Sequence, residues 1–240
     1  MIDILQPRAD ADLLWSFGDR EPHFLIAAGS YKRQVKVDPF PCYPHNFFLV
    51  RKEAERVSAL FPLPQLVTIA ILDRDTEAHT NGWTSIDTDY YSEKDERGLH
   101  RWGATIVLSG KRTPIHPAMT RYLVAHEYGH VVAQFLGEKL GVPSGNEKLA
   151  YDDRKMYREY AAMRGFDTAK HYGGGTWHAS VEELFANDFR ILVAQSEIEF
   201  WPHPGFKRPE ELPAVVAFWE SQRKDRLELG LPLFEGEAKA

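Results

Sequence analysis

The feature that most constrains this chain of 240 residues is the apolar run TRYLVAHEYGHVVAQFL, from Thr120 to Leu136. Its length and its apolar content are typical of a buried helix. His126 and His130 lie four residues apart in this run, so a helix places both imidazoles on one face, one turn apart. Polar side chains in a buried helix are costly to desolvate unless they are paired or bind a metal. The run therefore predicts a helix with a metal site on one face.

The residues His126, Glu127 and His130 form the pattern H-E-x-x-H, which suits zinc chemistry. Zn²⁺ accepts imidazole nitrogens readily, and a catalytic zinc site leaves one position open for water. Glu127 can reach that water but not the metal, and a carboxylate there can take the proton of the water. We therefore predict that His126 and His130 bind zinc and that Glu127 is the general base. A chance match of the pattern is the alternative, which the apolar surroundings disfavour.

A catalytic zinc ion usually has three protein ligands, so a third residue is needed. A third histidine in the spacing H-x-x-G-x-x-H is excluded, because Ala133 and Leu136 occupy the two positions concerned. The segment from His178 to Val193, HASVEELFANDFRILV, offers a carboxylate on a later helix instead. Glu183 would bind the metal there, and Asn187, one turn later, could hydrogen-bond a ligating imidazole.

Two other interpretations of this segment remain open from the spacing. Ser180 and Glu183 form a capping-box pattern, in which Glu183 would serve only the start of the helix. Glu182, its neighbour, competes with Glu183 as the ligand.

The pair of motifs HEYGH and ELFANDFR, the latter from Glu183 to Arg190, resembles the gluzincin peptidases of the anthrax-lethal-factor-like family. It is also similar to the ImmA/IrrE family. In both families the third zinc ligand falls on Glu183 of this chain. The resemblance covers roughly residues 103 to 205. It implies a zincin fold, in which the strand before the active-site helix forms the rim of the substrate cleft.

A peptidase of this type also needs a group that stabilises the oxyanion of the reaction, besides zinc itself. The tyrosine that the lethal-factor-like family places before the third ligand falls on Thr176 here, so this part of the resemblance fails. Tyr172 and His178 are the candidates to replace it, and packing or surface roles are the alternatives for both.

Predicted strands concentrate before residue 110 and predicted helices after it. The strands are Phe24 to Ala28, Gln34 to Val37, Leu66 to Leu72, Gly82 to Thr88 and Gly103 to Ser109. The helices are Asn46 to Phe61, the motif helix from Pro117, Glu147 to Arg164, Ser180 to Ser196 and Ala214 to Leu227. If Ala104 to Leu108 is an edge strand, an extended peptide can pair with it, whereas an internal strand is the alternative.

This order of elements predicts an α+β fold in a single metallopeptidase domain, residues 1–240. Together with the resemblance it predicts a zincin-like arrangement. A mixed twisted sheet and the active-site helix form an N-terminal lobe, about residues 1–138, and a mainly helical C-terminal lobe, residues 139–240, carries the third ligand.

Composition limits the partners and the location of the protein. The net charge is −6, the pI is about 5.9 and no block of Lys or Arg occurs, so we expect no nucleic-acid partner. Cys42 is the only cysteine, which excludes an intramolecular disulfide and a thiolate zinc site. The N-terminal sequence shows no signal peptide, and no apolar stretch has the length of a membrane span. We therefore expect a cytoplasmic protein with no membrane partner; its oligomeric state does not follow from composition.

The leading hypothesis is a zinc-dependent metalloendopeptidase that acts on a peptide or protein substrate. The alternative, from the second resemblance, is a zinc-binding regulatory or sensor module of the ImmA/IrrE type that acts on or through a protein partner. A structural domain with a vestigial motif is a third hypothesis.

Overall fold

The computed structural model of the protein describes residues 2–5, 13–15, 22–28, 31–37, 40–63, 66–76, 81–87, 103–139, 155–165, 180–196 and 200–228. These residues form both α-helices and β-strands, so the predicted α+β class is confirmed. They fall into two units, one within Met1–Glu55 and Pro64–Glu127, the other within Arg56–Leu63 and Tyr128–Ala240. The sequence places a boundary near residue 138, whereas this division falls after Glu127.

The elements of the described residues are numbered in chain order. The strands are β1 (Ile2–Leu5), β2 (Leu13–Trp15), β3 (Pro22–Ala28), β4 (Tyr31–Lys36), β5 (Leu66–Ile71), β6 (Gly82–Asp87) and β7 (Gly103–Leu108). The α-helices are α1 (Phe47–Leu60), α2 (Pro117–Lys139), α3 (Lys155–Met163), α4 (Val181–Leu192) and α5 (Pro213–Glu228). No helix of the described ranges has both the length and the apolar character that crossing a membrane requires.

Four strands of the first unit form a mixed sheet in the order β1, β5, β7, β6. β5 pairs in parallel with β1 and β7, whereas β6 is antiparallel to β7. The apolar run from Leu66 to Leu72 is nearly continuous and therefore predicts a central strand, and β5 lies between two partners with Val67 to Ile71 buried. That prediction is confirmed.

β7 lies inside this sheet, so the interpretation of Ala104 to Leu108 as an edge strand is wrong. The five residues are buried, as expected for a strand with a neighbour on each side. Among the strands that the structure describes, β6 is the one that ends the sheet next to β7. The reason is topological: β6 precedes β7 in the chain, turns back beside it, and leaves its own outer edge without a strand from the described residues.

The other three strands form an antiparallel sheet in the order β2, β3, β4. The strands predicted at Phe24 and Gln34 are confirmed, and they pair with each other, from His23 with Lys36 to Ala28 with Tyr31. β1 and β2 were not predicted, because four and three residues are too few to show a hydrophobic period.

The observed helices agree closely with those predicted from the sequence. α1 buries Val50, Ala54 and Val57 on one face, and an exposed ion pair of Arg51 with Glu55 lies on another. α2 begins at Pro117, a residue suited to the first turn because it has no amide hydrogen to leave unsatisfied. Of the predicted helix from Glu147 to Arg164, the structure describes α3 and the turn after it, and residues 147–154 lie outside the described part.

In the second unit an aromatic core holds α3, α4 and α5 together. Each helix contributes one ring, from Tyr160, Phe185 and Trp219. The ring centroid of Phe185 lies 4.8 Å from that of Tyr160 and 4.8 Å from that of Trp219. The buried carboxylate of Asp188 receives two hydrogen bonds from Arg164, of 2.8 and 2.9 Å, and a third from the hydroxyl of Tyr160. Burial raises the pKa of Tyr160 well above its usual value, and the charge of Asp188 adds to this, so the phenol stays a donor.

A buried histidine lies in the first unit, just before α1. His45 is 2% exposed, and its Nδ1 lies 2.8 Å from the hydroxyl of Thr120 in α2. Burial and then the positive charge of Lys111 lower the pKa of His45 to about 4, against the opposing effect of a backbone hydrogen bond at Ser109. The folded protein therefore keeps this imidazole neutral at pH values where a free histidine would be charged.

The stability of the protein should fall as the pH drops from about 6.5 towards 4, because the unfolded chain then binds a proton that the folded chain excludes. Through His45 alone, a change from pH 7 to pH 4.5 should lower the free energy of unfolding by about 2.5 kcal/mol. Urea unfolding at the two pH values measures this difference, and His45→Asn should reduce it by that amount. An equal loss in wild type and His45→Asn would contradict the assignment.

Candidate metal centre

α2 carries both histidines of the motif on one face, one turn apart, and the helix is continuous from Pro117 to Lys139. His126 is buried and His130 is partly exposed. The ring of Tyr122 stacks on the ring of His126, with centroids 5.7 Å apart and planes 7° apart. This stacking restricts rotation of the His126 ring and therefore helps to fix the direction of its nitrogens.

A close approach of two backbones brings α4 to α2. Gly129 of α2 faces Ala186 of α4, and a Cβ added to Gly129 would lie 2.9 Å from both Cα and O of Ala186. Contacts this short do not occur with real side chains, so the two helices pack this closely only because residue 129 is glycine. Gly129 directly precedes His130, and Ala186 lies three residues after Glu183. The contact therefore sets the distance between these two side chains.

Three side chains converge as a result. Nε2 of His130 lies 3.6 Å from Oε1 of Glu183. One ligand atom from each of His126, His130 and Glu183 lies within 4.8 Å of the other two. Tetrahedral bonds of about 2 Å to zinc place ligand atoms about 3.3 Å apart, so small side-chain adjustments suffice for all three to bind one ion. Two imidazoles and one carboxylate are a donor set found in catalytic zinc sites.

The alternatives for Glu183 are decided by its surroundings. Ser180 is the N-cap residue of α4, but its side chain makes no capping hydrogen bond, so the capping-box interpretation is wrong. Glu182 does not belong to the converging group. Burial raises the pKa of Glu182 to about 8; His130 opposes this shift and the charge of Glu183 adds to it. A carboxyl group that stays protonated at neutral pH is a poor metal ligand, which agrees with the geometry.

Glu127 is 4% exposed and is held by the edge strand β6. The hydroxyl of Thr84 lies 2.8 Å from Oε2 of Glu127 and 3.0 Å from its backbone oxygen. The sequence predicts Glu127 as the general base but does not identify Thr84, because the two residues are 43 positions apart and only the sheet brings them together. The one available signal was the alternation along β6, which assigns Gly82 and Thr84 to the same face.

Asn187 is completely buried and takes part in several hydrogen bonds. Its Nδ2 donates to the backbone oxygen of Glu183 at 3.0 Å and lies 2.9 Å from Nε2 of His203. Its Oδ1 accepts a hydrogen bond from Nε of Arg190 at 3.1 Å. Both hydrogens of the amide nitrogen are used by these two partners, and a hydrogen bond of Asn187 to a metal-ligating imidazole stays a prediction. Asn187 therefore fixes α4 and the segment at His203, which the sequence did not single out.

The two candidates for oxyanion stabilisation, Tyr172 and His178, lie outside the described residues. Their roles remain predictions from the sequence.

Comparison of the chain with protein-family models, with curated proteins and with solved structures gives no significant match. The resemblance to the two zincin families therefore rests on the motifs alone.

Replacing Gly129 tests the close approach of α2 and α4. Gly129→Ala should lower the free energy of unfolding by about 1 to 3 kcal/mol, because the added methyl group pushes the two backbones apart. It should also weaken zinc binding, since Glu183 moves away from His130. Urea unfolding and a zinc titration measure the two effects.

Gly137 provides a matched control in the same helix. A Cβ added there meets nothing within 4 Å, so Gly137→Ala should stabilise the protein by up to about 1 kcal/mol through helix propensity and leave zinc affinity unchanged. If both variants behave alike, the contact of Gly129 with Ala186 does not set the geometry of the cluster.

Proposed function

We propose that the chain is a zinc-dependent metalloendopeptidase with a zincin-like fold. The observation that carries this proposal is the convergence of His126, His130 and Glu183, with a buried carboxylate, Glu127, beside the first of them in α2. A structural zinc site is usually closed by four protein ligands. Three ligands and an adjacent carboxylate are what hydrolysis requires, because one metal position then stays available for water.

The three converging residues would hold the metal. A zinc ion there supplies the Lewis acidity that activates a water molecule and polarises a peptide carbonyl. The partial burial of His130 and Glu183 leaves their site reachable for a substrate while removing much of the surrounding water.

Glu127 supplies the proton transfers. Its carboxylate takes a proton from the attacking water as the oxygen of that water bonds to the carbonyl carbon. The same proton then passes to the nitrogen of the leaving amine as the carbon–nitrogen bond breaks, so Glu127 returns to its ionised form. Tyr172 and His178 remain the candidates for a further donor to the carbonyl oxygen.

The substrate would bind along β6. An extended peptide can add to the edge of a sheet through backbone hydrogen bonds, and β6 is the last described strand on its side of the sheet. Thr84, in the middle of β6, contacts Glu127. A peptide paired with β6 would therefore run close to the general base, which favours cleavage within a chain over removal of single terminal residues.

Glu127→Gln tests the mechanism. The variant should bind one zinc ion per chain as the wild type does, because Glu127 is not a ligand, and should lose peptide hydrolysis by at least about 100-fold. Metal analysis and cleavage of a peptide library measure the two properties, and removal and return of zinc in the wild type provide the control. Hydrolysis retained in Glu127→Gln would exclude Glu127 from the mechanism. No cleavage by the zinc-loaded wild type would favour the regulatory or sensor module.

Glu183→Gln tests the ligand set, with Glu182→Gln as its matched neighbour. Glu183→Gln should weaken zinc binding by at least about 10-fold, because a neutral amide replaces an anionic ligand. Glu182→Gln should leave the zinc affinity within about 3-fold of wild type, since Glu182 lies outside the cluster. Competition with a fluorescent chelator measures both constants, and the reverse order of effects would move the third ligand to Glu182.

A further inference from the structure

We propose that Thr84 is a positioning residue for the general base, through which the edge strand β6 holds the carboxylate of Glu127 in its working orientation. This inference rests on the proposed peptidase function. Glutamate has three rotatable side-chain bonds, and a base contributes fully to catalysis only when its oxygens stay close to one productive geometry. A hydrogen bond from a rigid strand is one way to achieve this.

The hydroxyl of Thr84 contacts Glu127 at two points. It lies 2.8 Å from the side-chain oxygen Oε2 and 3.0 Å from the backbone oxygen of the same residue. One hydroxyl proton shared between both ends of a residue fixes the side chain relative to its own backbone. Since the backbone belongs to the middle of α2, the carboxylate is tied to the helix that also carries His126 and His130.

Gly82 of β6 also lies beside the carboxylate of Glu127. It lies two residues before Thr84 in β6 and therefore on the same face of the strand. A Cβ added at Gly82 would lie 2.9 Å from the backbone oxygen of Val107 and 3.4 Å from Oε1 of Glu127. Thr84 thus holds Oε2 with its hydroxyl, and Gly82 places no side chain beside Oε1. This leaves Oε1 as the oxygen that accepts the proton of the attacking water.

The same strand would also bind the substrate, because its outer edge is the proposed pairing site. The backbone of β6 then determines both the position of the base and the position of the peptide. Loss of the Thr84 hydroxyl should therefore affect the rate of the chemical step and leave peptide binding largely intact, because pairing with β6 uses backbone groups.

Three variants separate positioning from general damage to the strand. Thr84→Val removes the hydroxyl at nearly the same shape, Thr84→Ser restores it, and Ser85→Ala is the control on the opposite face of β6. Thr84→Val should lower kcat by about 10- to 100-fold, with KM within about 2-fold of wild type and zinc stoichiometry unchanged. Thr84→Ser and Ser85→Ala should keep kcat within about 3-fold of wild type. If Thr84→Val does not fold, Thr84→Ala takes its place.

Crystal structures of the zinc-loaded variants give a readout that does not need activity. In Thr84→Val the Glu127 side chain should leave its present orientation or occupy several, whereas in Thr84→Ser it should stay in place. An unmoved Glu127 in Thr84→Val would overturn the proposal, as would a similar loss of kcat in Ser85→Ala. If the wild type cleaves no peptide, the proposed function fails, and the orientation of Glu127 in these structures still decides the role of Thr84.

Discussion

The close contact of Gly129 with Ala186 is the constraint on which the rest of the candidate centre depends. It joins two helices at a distance that a side chain at residue 129 would prevent. α2 alone can present two imidazoles, but two ligands do not make a catalytic zinc site. The third residue of the candidate centre, Glu183, comes from α4, and a carboxylate reaches only a few ångströms from its own backbone. The separation of the helix axes therefore decides whether Glu183 meets His130, and the smallest residue of the motif, rather than any of its ligands, sets that separation.

The position of α4 is fixed from its other faces by buried polar groups. Three polar residues in the middle of this helix are completely buried, namely Asn187, Asp188 and Arg190. Each has partners: Asp188 pairs with Arg164, Asn187 with His203, and Arg190 donates to the backbone oxygen of Phe200 at 2.8 Å. Burial of such groups is costly unless they are paired, so a rotation or shift of α4 would break several hydrogen bonds at once. The network holds the helix in one register, and this keeps Glu183 directed at the histidines.

Local patterns in the sequence were enough for the helices, for the central strand β5 and for the candidate ligands. A period of 3.6 residues identifies α1, a continuous apolar run identifies β5, and the spacing of His126 and His130 depends on one helix alone. Contacts between residues that are far apart in the chain could not be predicted from such local patterns. Thr84 meets Glu127, and Asn187 meets His203, only because the fold brings them together. The sequence left open whether β7 lies at the edge of the sheet or inside it, since the order of strands depends on pairing and not on the composition of any one strand. Gly129 could have been noticed as a glycine in the middle of an apolar helix, where its low helix propensity requires a packing reason.

The position of β6 at the end of the sheet, among the strands that the structure describes, has a consequence for the protein in concentrated solution. A strand that accepts any extended backbone also accepts the same strand of another copy, and such pairing is a common start of aggregation. β6 limits this hazard by its length of six residues and by the polar side chains of Thr84 and Ser85 at its middle. Lengthening this strand or making it more apolar would strengthen the proposed pairing with a peptide and, for the same reason, would promote association between copies of the protein.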